Sequence, residues 1–152
     1  MARLNSKVLF FTTSPRTPGK MISEIQLLHK DFSGKCWDNS TQVAFIDRLA
    51  SSDFFEGRGS PKDKAFSARD RINRAPKSLG FVELKPHISL TNAGQLFIYG
   101  KRPQEIFLRQ LLKFQLPSPF HIENKSIEGT FFVRPYLEMM MCYPQTLVQF
   151  QS

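Results

Sequence analysis

One stretch, residues 66–99, constrains the fold of this chain more than any other, because each of its elements is bounded by a recognisable start or stop signal. Ser67 and Asp70 have the S-x-x-D spacing of a helix start. Pro76 has no amide proton, which predicts a break or a new first turn within this helical region. The segment therefore predicts a helix that is interrupted near residue 76 and ended by Gly80.

Two short alternating runs follow the glycine and predict a β-hairpin. They cover residues 81–85 and 88–91, and a Pro-His dipeptide connects them. Thr91 is a suitable cap for a further helix over residues 92–99. A recognition helix, a β-wing and a closing helix follow one another in this order in a winged helix. The sequence therefore predicts an α+β, mostly helical chain with a winged-helix-like DNA-binding architecture and a small β-wing.

Helical patterns lie on both sides of this stretch. Apolar spacing predicts further helices near residues 21–30, 41–50, 103–114 and 135–140, and a short strand at residues 7–13. A hydroxyl residue, Ser40 or Thr41, is the predicted cap of the second helix, and Trp37 is predicted to pack in the core. We divide the chain into a strand and helices over residues 1–64, the winged-helix part over residues 65–100, a helical continuation over residues 101–140 and an atypical tail over residues 141–152.

The charge of the chain favours a polyanionic partner. The 152 residues include 21 Lys plus Arg and 13 Asp plus Glu, which gives a formal net charge of +8. Nucleic acid is the commonest partner for such a basic excess. Many basic proteins nevertheless have only a solvated surface, so the positions of the basic residues have to decide.

Basic residues concentrate on the predicted recognition helix. Arginine can pair with guanine O6 and N7 in the major groove, asparagine can pair with adenine, and lysine neutralises phosphates. We therefore predict DNA contacts from a group of polar and basic side chains on this helix, Arg69, Arg71, Asn73, Arg74 and Lys77. The alternative is a solvated helix face on which Asp70 and Arg74 pair at i, i+4.

A second basic turn precedes the first predicted helix. Between Ser14 and Lys20, Arg16 and two prolines lie just before a helix N-terminus, where free amides and the helix dipole favour a phosphate. An ordinary proline-rich loop has the same composition, so both interpretations stay open.

Catalytic and metal signals are weak. Glu83 and Lys85 match the D/E-x-K part of the PD-(D/E)xK arrangement, which holds a divalent metal and polarises water, but a pattern this loose is expected about once by chance in a chain of this length. Cys36 and Cys142 lack CxxC spacing and the three histidines are scattered, so we predict reduced, structural thiols and no metal site. No apolar run has the length of a signal-peptide core or a membrane span, so we expect a cytoplasmic protein without a membrane partner.

Five longer segments carry a more specific signal. In order along nearly the whole chain, they are TTSPRTPGKM, AFSARDRINRAPKSLGFVEL, LTNAG, KRPQEIFLRQLLKFQLPSPFH and FFVRPYLEMM, at residues 12–21, 65–84, 90–94, 101–121 and 131–140. Together they resemble the AlwI-type type IIS restriction endonucleases and their nicking relatives. Several long motifs in the right order are far more specific than one short pattern.

The resemblance implies a DNA-reading region of winged-helix-like subdomains, followed in the family by a separate Mg²⁺-dependent PD-(D/E)xK cleavage domain that this sequence does not cover. It implies that the segment from Ser67 to Lys77 contacts bases and phosphates, and that the turn from Ser14 to Arg16 contacts the DNA backbone. Family members read short asymmetric duplex sites such as GGATC or GAGTC and cut at a fixed distance. Mg²⁺ is thus expected only in an intact enzyme, and a cognate DNA methyltransferase is the expected partner in the same system.

The resemblance ends after Met140, where family members continue into another amphipathic helix and this chain reads MCYPQTLVQFQS. We interpret this as a truncated or frameshifted gene product, or as a reading subunit with a separately encoded cleavage partner, and we expect no cleavage by this chain alone. Three alternatives stay open. They are a winged-helix transcriptional regulator, a compact nuclease that uses Glu83 and Lys85, and an inactive remnant of a restriction enzyme.

Overall fold

A computed structural model of the chain describes residues 18–55, 62–115 and 133–148. Its helices and strands are α1 Pro18–Phe32, α2 Asn39–Ala50, α3 Lys64–Asn73, α4 Ala75–Ser78, β1 Val82–Glu83, β2 Ser89–Leu90, α5 Asn92–Tyr99, α6 Pro103–Lys113 and α7 Pro135–Val148. The described residues are mostly helical with one small antiparallel sheet, which confirms the α+β prediction. The strand predicted over residues 7–13 lies outside the described residues.

The chain divides into two compact units, one of residues 12–107 and one of residues 1–11 and 108–152. In the first unit, the inward sides of α1, α2 and α3 form a common core. Its buried apolar side chains are Met21, Ile25, Leu28, Phe32, Phe45, Ile46, Leu49, Ala65, Ala68 and Ile72. Each large side chain of this kind stabilises the fold by about 1.5–3 kcal/mol when buried, and the two alanines allow α3 to approach its neighbours closely.

Helix α3 begins earlier than the sequence predicts. Asp63 is its N-cap, and the Asp63 carboxylate accepts a hydrogen bond from the amide of Phe66 at 2.8 Å. The prediction that the helix starts at Ser67 is wrong by one turn, because Asp63 already satisfies the free amides that a cap has to satisfy. Asp38 caps α2 in the same way, accepting from the amide of Thr41, in place of the predicted hydroxyl cap.

The predicted hairpin is confirmed, with strands of two residues each. Strands β1 and β2 are antiparallel, and Val82 lies opposite Leu90. The loop after α1 is fixed to the same hairpin. The amide of Gly34 donates to the carbonyl of Ile88 at 2.9 Å, and the amide of Ile88 donates to the carbonyl of Lys35 at 2.8 Å.

Helix α5 closes against the root of the hairpin and has the bounds that the sequence predicts. The Thr91 hydroxyl accepts from the amide of Gly94 at 3.0 Å and donates to the carbonyl of Gly80 at 2.6 Å. A Cβ on Gly94 would lie 2.0 Å from the carbonyl oxygen of Phe81, so the backbones of α5 and the strand are in direct contact. The rings of Phe81 and Phe97 stack behind this contact with centroids 4.3 Å apart.

Helix α7 belongs to the second unit and continues to Val148, beyond the end of the helix that the sequence predicts near residues 135–140. Amphipathic spacing reports which side of a helix is buried, and a helix can continue where that spacing is lost. In the same unit the buried ring of Phe114 contacts the ring of Tyr136 edge-on, with centroids 5.9 Å apart. Among the described helices, none is long and apolar enough to cross a membrane.

Candidate nucleic-acid interface

Helix α3 presents an inward side, an outer side and two flanks between them. Its inward side consists of buried Ala65, Ala68 and Ile72. With 3.6 residues per turn, the opposite side is centred on Asp70. We call this the outer side of α3, and it consists of Phe66, Ser67, Asp70 and the capping residue Arg74. Two flanks separate the inward and outer sides, one with Arg71 and one with Arg69 and Asn73.

Arg71 is committed to a contact inside the protein. Its guanidinium forms an ion pair with Glu24 of α1, a residue that is only 4% exposed. It also lies over the ring of Phe55, 5.2 Å from the centroid. Arg71 therefore joins α1 to α3, although the sequence pattern predicted it as a DNA contact.

The carboxylate of Glu24 has an unusual environment. Its Oε2 atom is buried and accepts no hydrogen bond from the described residues. Burial raises the pKa of Glu24 above its ordinary value of 4.5, while the charge and hydrogen bond of Arg71 and the charge of Lys20 oppose that rise. A buried acid with a single strong partner depends heavily on that partner.

Arg69 lies at the start of a chain of hydrogen bonds that returns to α3. Its Nη1 donates to Oε1 of Gln42 at 2.8 Å, and Nε2 of Gln42 donates to the carbonyl of Trp37 at 2.9 Å. The indole Nε1 of Trp37 then donates to Oδ1 of Asn73 at 3.1 Å. We call this the Arg69–Asn73 network, and it fixes the loop before α2 to the last residue of α3.

Arg74 and Asp70 form the pair that the solvated-face alternative predicts. The Nε of Arg74 lies 2.5 Å from Oδ1 of Asp70 at i, i+4, and the two side chains are 31% and 28% exposed. Pairs with this degree of access to water contribute up to about 1 kcal/mol. The ion pair with Asp70 therefore contributes little to fixing the Arg74 guanidinium in place.

A groove of about 290 Å³ opens beside the end of α3. Residues 36–38 form one wall, Asn73 and Lys77 form a second, and hairpin residues 84–86 form a third. The fold thus places Lys77 of α4 and Lys85 of the hairpin around a single concave surface. Lys85 is exposed, and its ammonium adds a cation that the predicted contact set did not include.

Three further residues were predicted to contact DNA. Ser67 is half-buried on the outer side of α3. Ser14 and Arg16 lie outside the described residues, so their predicted backbone contact stays a prediction.

The sequence pattern missed two members of the Arg69–Asn73 network. Trp37 was expected in the core, but it is half-buried, contacts the ring of Phe45 edge-on at 5.8 Å and lines the groove. Gln42 is 6% exposed and both ends of its amide are bonded. The link from Gln42 to Arg69 carried no local sequence signal, because the two residues are 27 positions apart in the chain.

Cysteine and acidic residues near the hairpin do not form a metal centre. Glu83 is exposed on β1, and among the described residues no group of three or more His, Cys, Asp and Glu side chains is placed to hold a metal ion. Cys36 and Cys142 are exposed thiols, so neither packs in the core as a structural thiol would. The Sγ of Cys36 lies 3.6 Å from Nδ1 of His87 at the rim of the groove.

No protein-family model matches the chain, and no curated protein matches it. The resemblance to the AlwI-type enzymes therefore stays a prediction.

Proposed function

We propose that this chain recognises a specific sequence of double-stranded DNA through its unit of residues 12–107, built as a winged helix. The element order supports this fold: α1, a short segment paired with the hairpin, α2, α3, and then the hairpin itself. In a helix-turn-helix the second helix of the motif lies in the major groove, and α3 is the second helix of the pair formed by α2 and α3.

The polar outer side of α3, continued into the basic groove, is the observation that carries the proposal. The inward side of α3 is fixed by buried apolar residues, so the helix presents Ser67, Asp70 and Arg74 from a rigid support. The groove beside it holds Asn73, Lys77 and Lys85. Guanidinium and amide groups suit base edges, and the two ammonium groups suit the phosphates on either side of a groove.

DNA binding in this arrangement proceeds in three steps. Diffusional encounter is favoured by the net charge of +8. Lys77 and Lys85 neutralise phosphates and release counterions, which fixes the position of α3 on the duplex. Arg74 can then exchange Asp70 for a guanine edge, because their ion pair is accessible to water.

The biological role that we propose is the recognition part of a type IIS restriction endonuclease, on the basis of the five segments that resemble the AlwI-type enzymes. A cleavage domain or subunit and a cognate DNA methyltransferase are then the expected partners. Mg²⁺ would act in the cleavage part. The described residues do not fit a Mg²⁺ centre, and we assign them no metal-dependent step.

Selection from a randomised duplex library tests this function. The full chain is incubated with the library at two salt concentrations, with and without Mg²⁺, and bound and cleaved DNA are sequenced. We expect enrichment of a short asymmetric site without cleavage. Salt-sensitive binding without a preferred sequence would contradict sequence-specific recognition, and a pseudo-palindromic site would favour a dimeric regulator instead.

Lysine variants place the interface. Lys77→Ala and Lys85→Ala should each reduce the slope of log K against log salt by about 1, because each removes one phosphate contact. Lys101→Ala is the matched control, since Lys101 is an exposed lysine beyond α5 and outside the groove. An equal effect of all three substitutions would mean that binding depends only on the net charge of the chain, and it would contradict this interface.

A further inference from the structure

We propose that Trp37 holds the side-chain amide of Asn73 in the orientation that reads adenine, so that Trp37 is a positioning residue for base recognition. This inference rests on the DNA-binding function proposed above. It assigns a role to a tryptophan that contacts α3 across the groove and that the sequence pattern assigned to the core.

The indole decides which end of the amide faces it. An indole N–H can only donate, and among the two ends of an asparagine amide only the oxygen can accept. Nε1 of Trp37 lies 3.1 Å from the amide end of Asn73. Oδ1 must therefore face Trp37, and Nδ2 must point the other way.

This orientation leaves the two functions that an adenine edge requires. Adenine presents an N6 amino donor and an N7 acceptor in the major groove, and asparagine meets them with its oxygen and its amino group. A carbonyl oxygen has two lone pairs, so Oδ1 can accept from Trp37 and from adenine N6 together. Nδ2 remains to donate to N7. Asn73 also lines the groove, where a base edge can reach it.

Trp37 is itself held in place. Gln42 donates to its carbonyl at 2.9 Å and receives a hydrogen bond from Arg69 at 2.8 Å, and the buried ring of Phe45 contacts the indole edge-on. The Arg69–Asn73 network therefore starts and ends on the same helix. Arg69 contributes to base recognition through Gln42 and Trp37 instead of touching DNA.

The test uses the site selected by the full chain. Asn73→Ala identifies the adenine that Asn73 reads, as the position whose preference disappears. A bidentate contact of this kind discriminates between bases by about 5-fold to 150-fold. Trp37→Phe keeps an aromatic ring against Phe45 and removes the indole N–H together with part of the ring volume. We expect it to weaken the preference at the same position by at least about threefold. The slope of affinity against salt should not change.

Three controls separate positioning from a loss of structure. Tyr99→Phe removes a hydroxyl donor from another aromatic residue, one that is exposed, and should leave every base preference intact. The double variant Trp37→Phe/Asn73→Ala should discriminate no less than Asn73→Ala alone, because both changes remove one interaction. A duplex with 7-deazaadenine at that position should bind the wild-type chain more weakly and Asn73→Ala equally well, which tests the amide orientation without altering Trp37.

Each outcome has a distinct meaning. If the wild-type chain selects no site, the proposed function fails and this inference fails with it. If a site is selected but Trp37→Phe retains the adenine preference, or changes a different position from Asn73→Ala, the positioning role alone is overturned. If Trp37→Phe does not fold, equal binding of wild type to adenine and 7-deazaadenine at the selected position overturns it.

Discussion

Arg71 and Arg74 lie three residues apart at the end of α3, and their surroundings differ in one decisive respect. The partner of Arg71 is Glu24, with a side chain only 5% exposed, whereas the partner of Arg74 is Asp70, with a side chain 28% exposed. When its cationic partner is removed, a buried carboxylate has no water to solvate its charge, whereas a carboxylate at the surface is solvated by water. The flank with Arg71 therefore serves the fold, whereas the ion pair of Arg74 with Asp70 on the outer side of α3 is open to water.

Removing Arg71 should give the largest effect. We expect Arg71→Ala to lower the free energy of unfolding by about 3 kcal/mol, because it removes the ion-pair partner of the buried Glu24 carboxylate. Urea denaturation monitored by circular dichroism measures this, and Glu24→Gln/Arg71→Met should restore most of the loss. A stable Arg71→Ala variant with impaired DNA binding would break the comparison and return Arg71 to the DNA-contacting set.

Removing Arg74 should change binding and leave stability nearly unaltered. Arg74→Ala is expected to weaken binding to the selected site by about tenfold, which corresponds to about 1.4 kcal/mol, since a guanine contact of this type contributes about 1–3 kcal/mol of discrimination. The free energy of unfolding should change by less than about 1 kcal/mol. Fluorescence anisotropy and urea denaturation of the same preparation decide between a surface role and a structural role.

The raised pKa of Glu24 predicts a specific dependence of stability on pH. The folded state binds the Glu24 proton more readily than the unfolded state, since burial raises the folded pKa above 4.5. The contribution of Glu24 to the free energy of unfolding should therefore rise as pH falls through the folded pKa, and level off below 4.5. Relative to Glu24→Gln, the wild type should gain stability between pH 7 and pH 4.5.

Asp38 supplies a control of opposite sign for this measurement. The amide of Thr41, together with the Ser40 hydroxyl, lowers the pKa of Asp38 below 3.8. Its stabilising contribution is present above pH 3.8 and is lost as pH falls through the lower, folded value. The difference in free energy of unfolding between wild type and Asp38→Asn should therefore become smaller on strong acidification. If the contribution of Glu24 to stability also fell with falling pH, as that of Asp38 should, the raised pKa of Glu24 would be contradicted.

The smallest expected effect concerns Asp70. Asp70→Asn removes the negative charge at the centre of the outer side of α3. It should raise affinity for DNA of unrelated sequence by about twofold to threefold, because the Asp70 carboxylate repels the negatively charged phosphates. Stability should fall by at most about 0.5 kcal/mol, the value typical of a helical i, i+4 pair. Competition with unrelated duplex DNA measures the first change. An unchanged affinity would place the phosphates away from this side of the helix.

Local chemistry made part of this fold predictable from the sequence. Thr91 caps α5 where predicted, and the hairpin follows Gly80, because a cap or a turn depends on residues only a few positions apart. The Asp70–Arg74 pair was within reach of the sequence for the same reason. Helix α3 started early because two acceptable caps, Asp63 and Ser67, compete, and spacing alone does not rank them.

Local sequence rules could not predict which arginine side chains have a partner inside the protein. Glu24 lies 47 residues before Arg71 in the chain, and Gln42 lies 27 residues before Arg69. Only the packing of α1 and α2 against α3 brings these groups together, so a run of basic residues could not reveal which cations have an internal partner. Sequence reasoning therefore identified a helical region rich in basic residues, while the internal partners of those side chains depended on tertiary structure.

The contact of Gly94 with the carbonyl of Phe81 has a consequence for how this domain can diversify. Because the hairpin is clamped at its root by α5, the orientation of its strands does not depend on the three exposed turn residues, Lys85 to His87. Sequence drift or deliberate grafting at this turn can then exchange one set of chemical contacts for another on an unchanged scaffold.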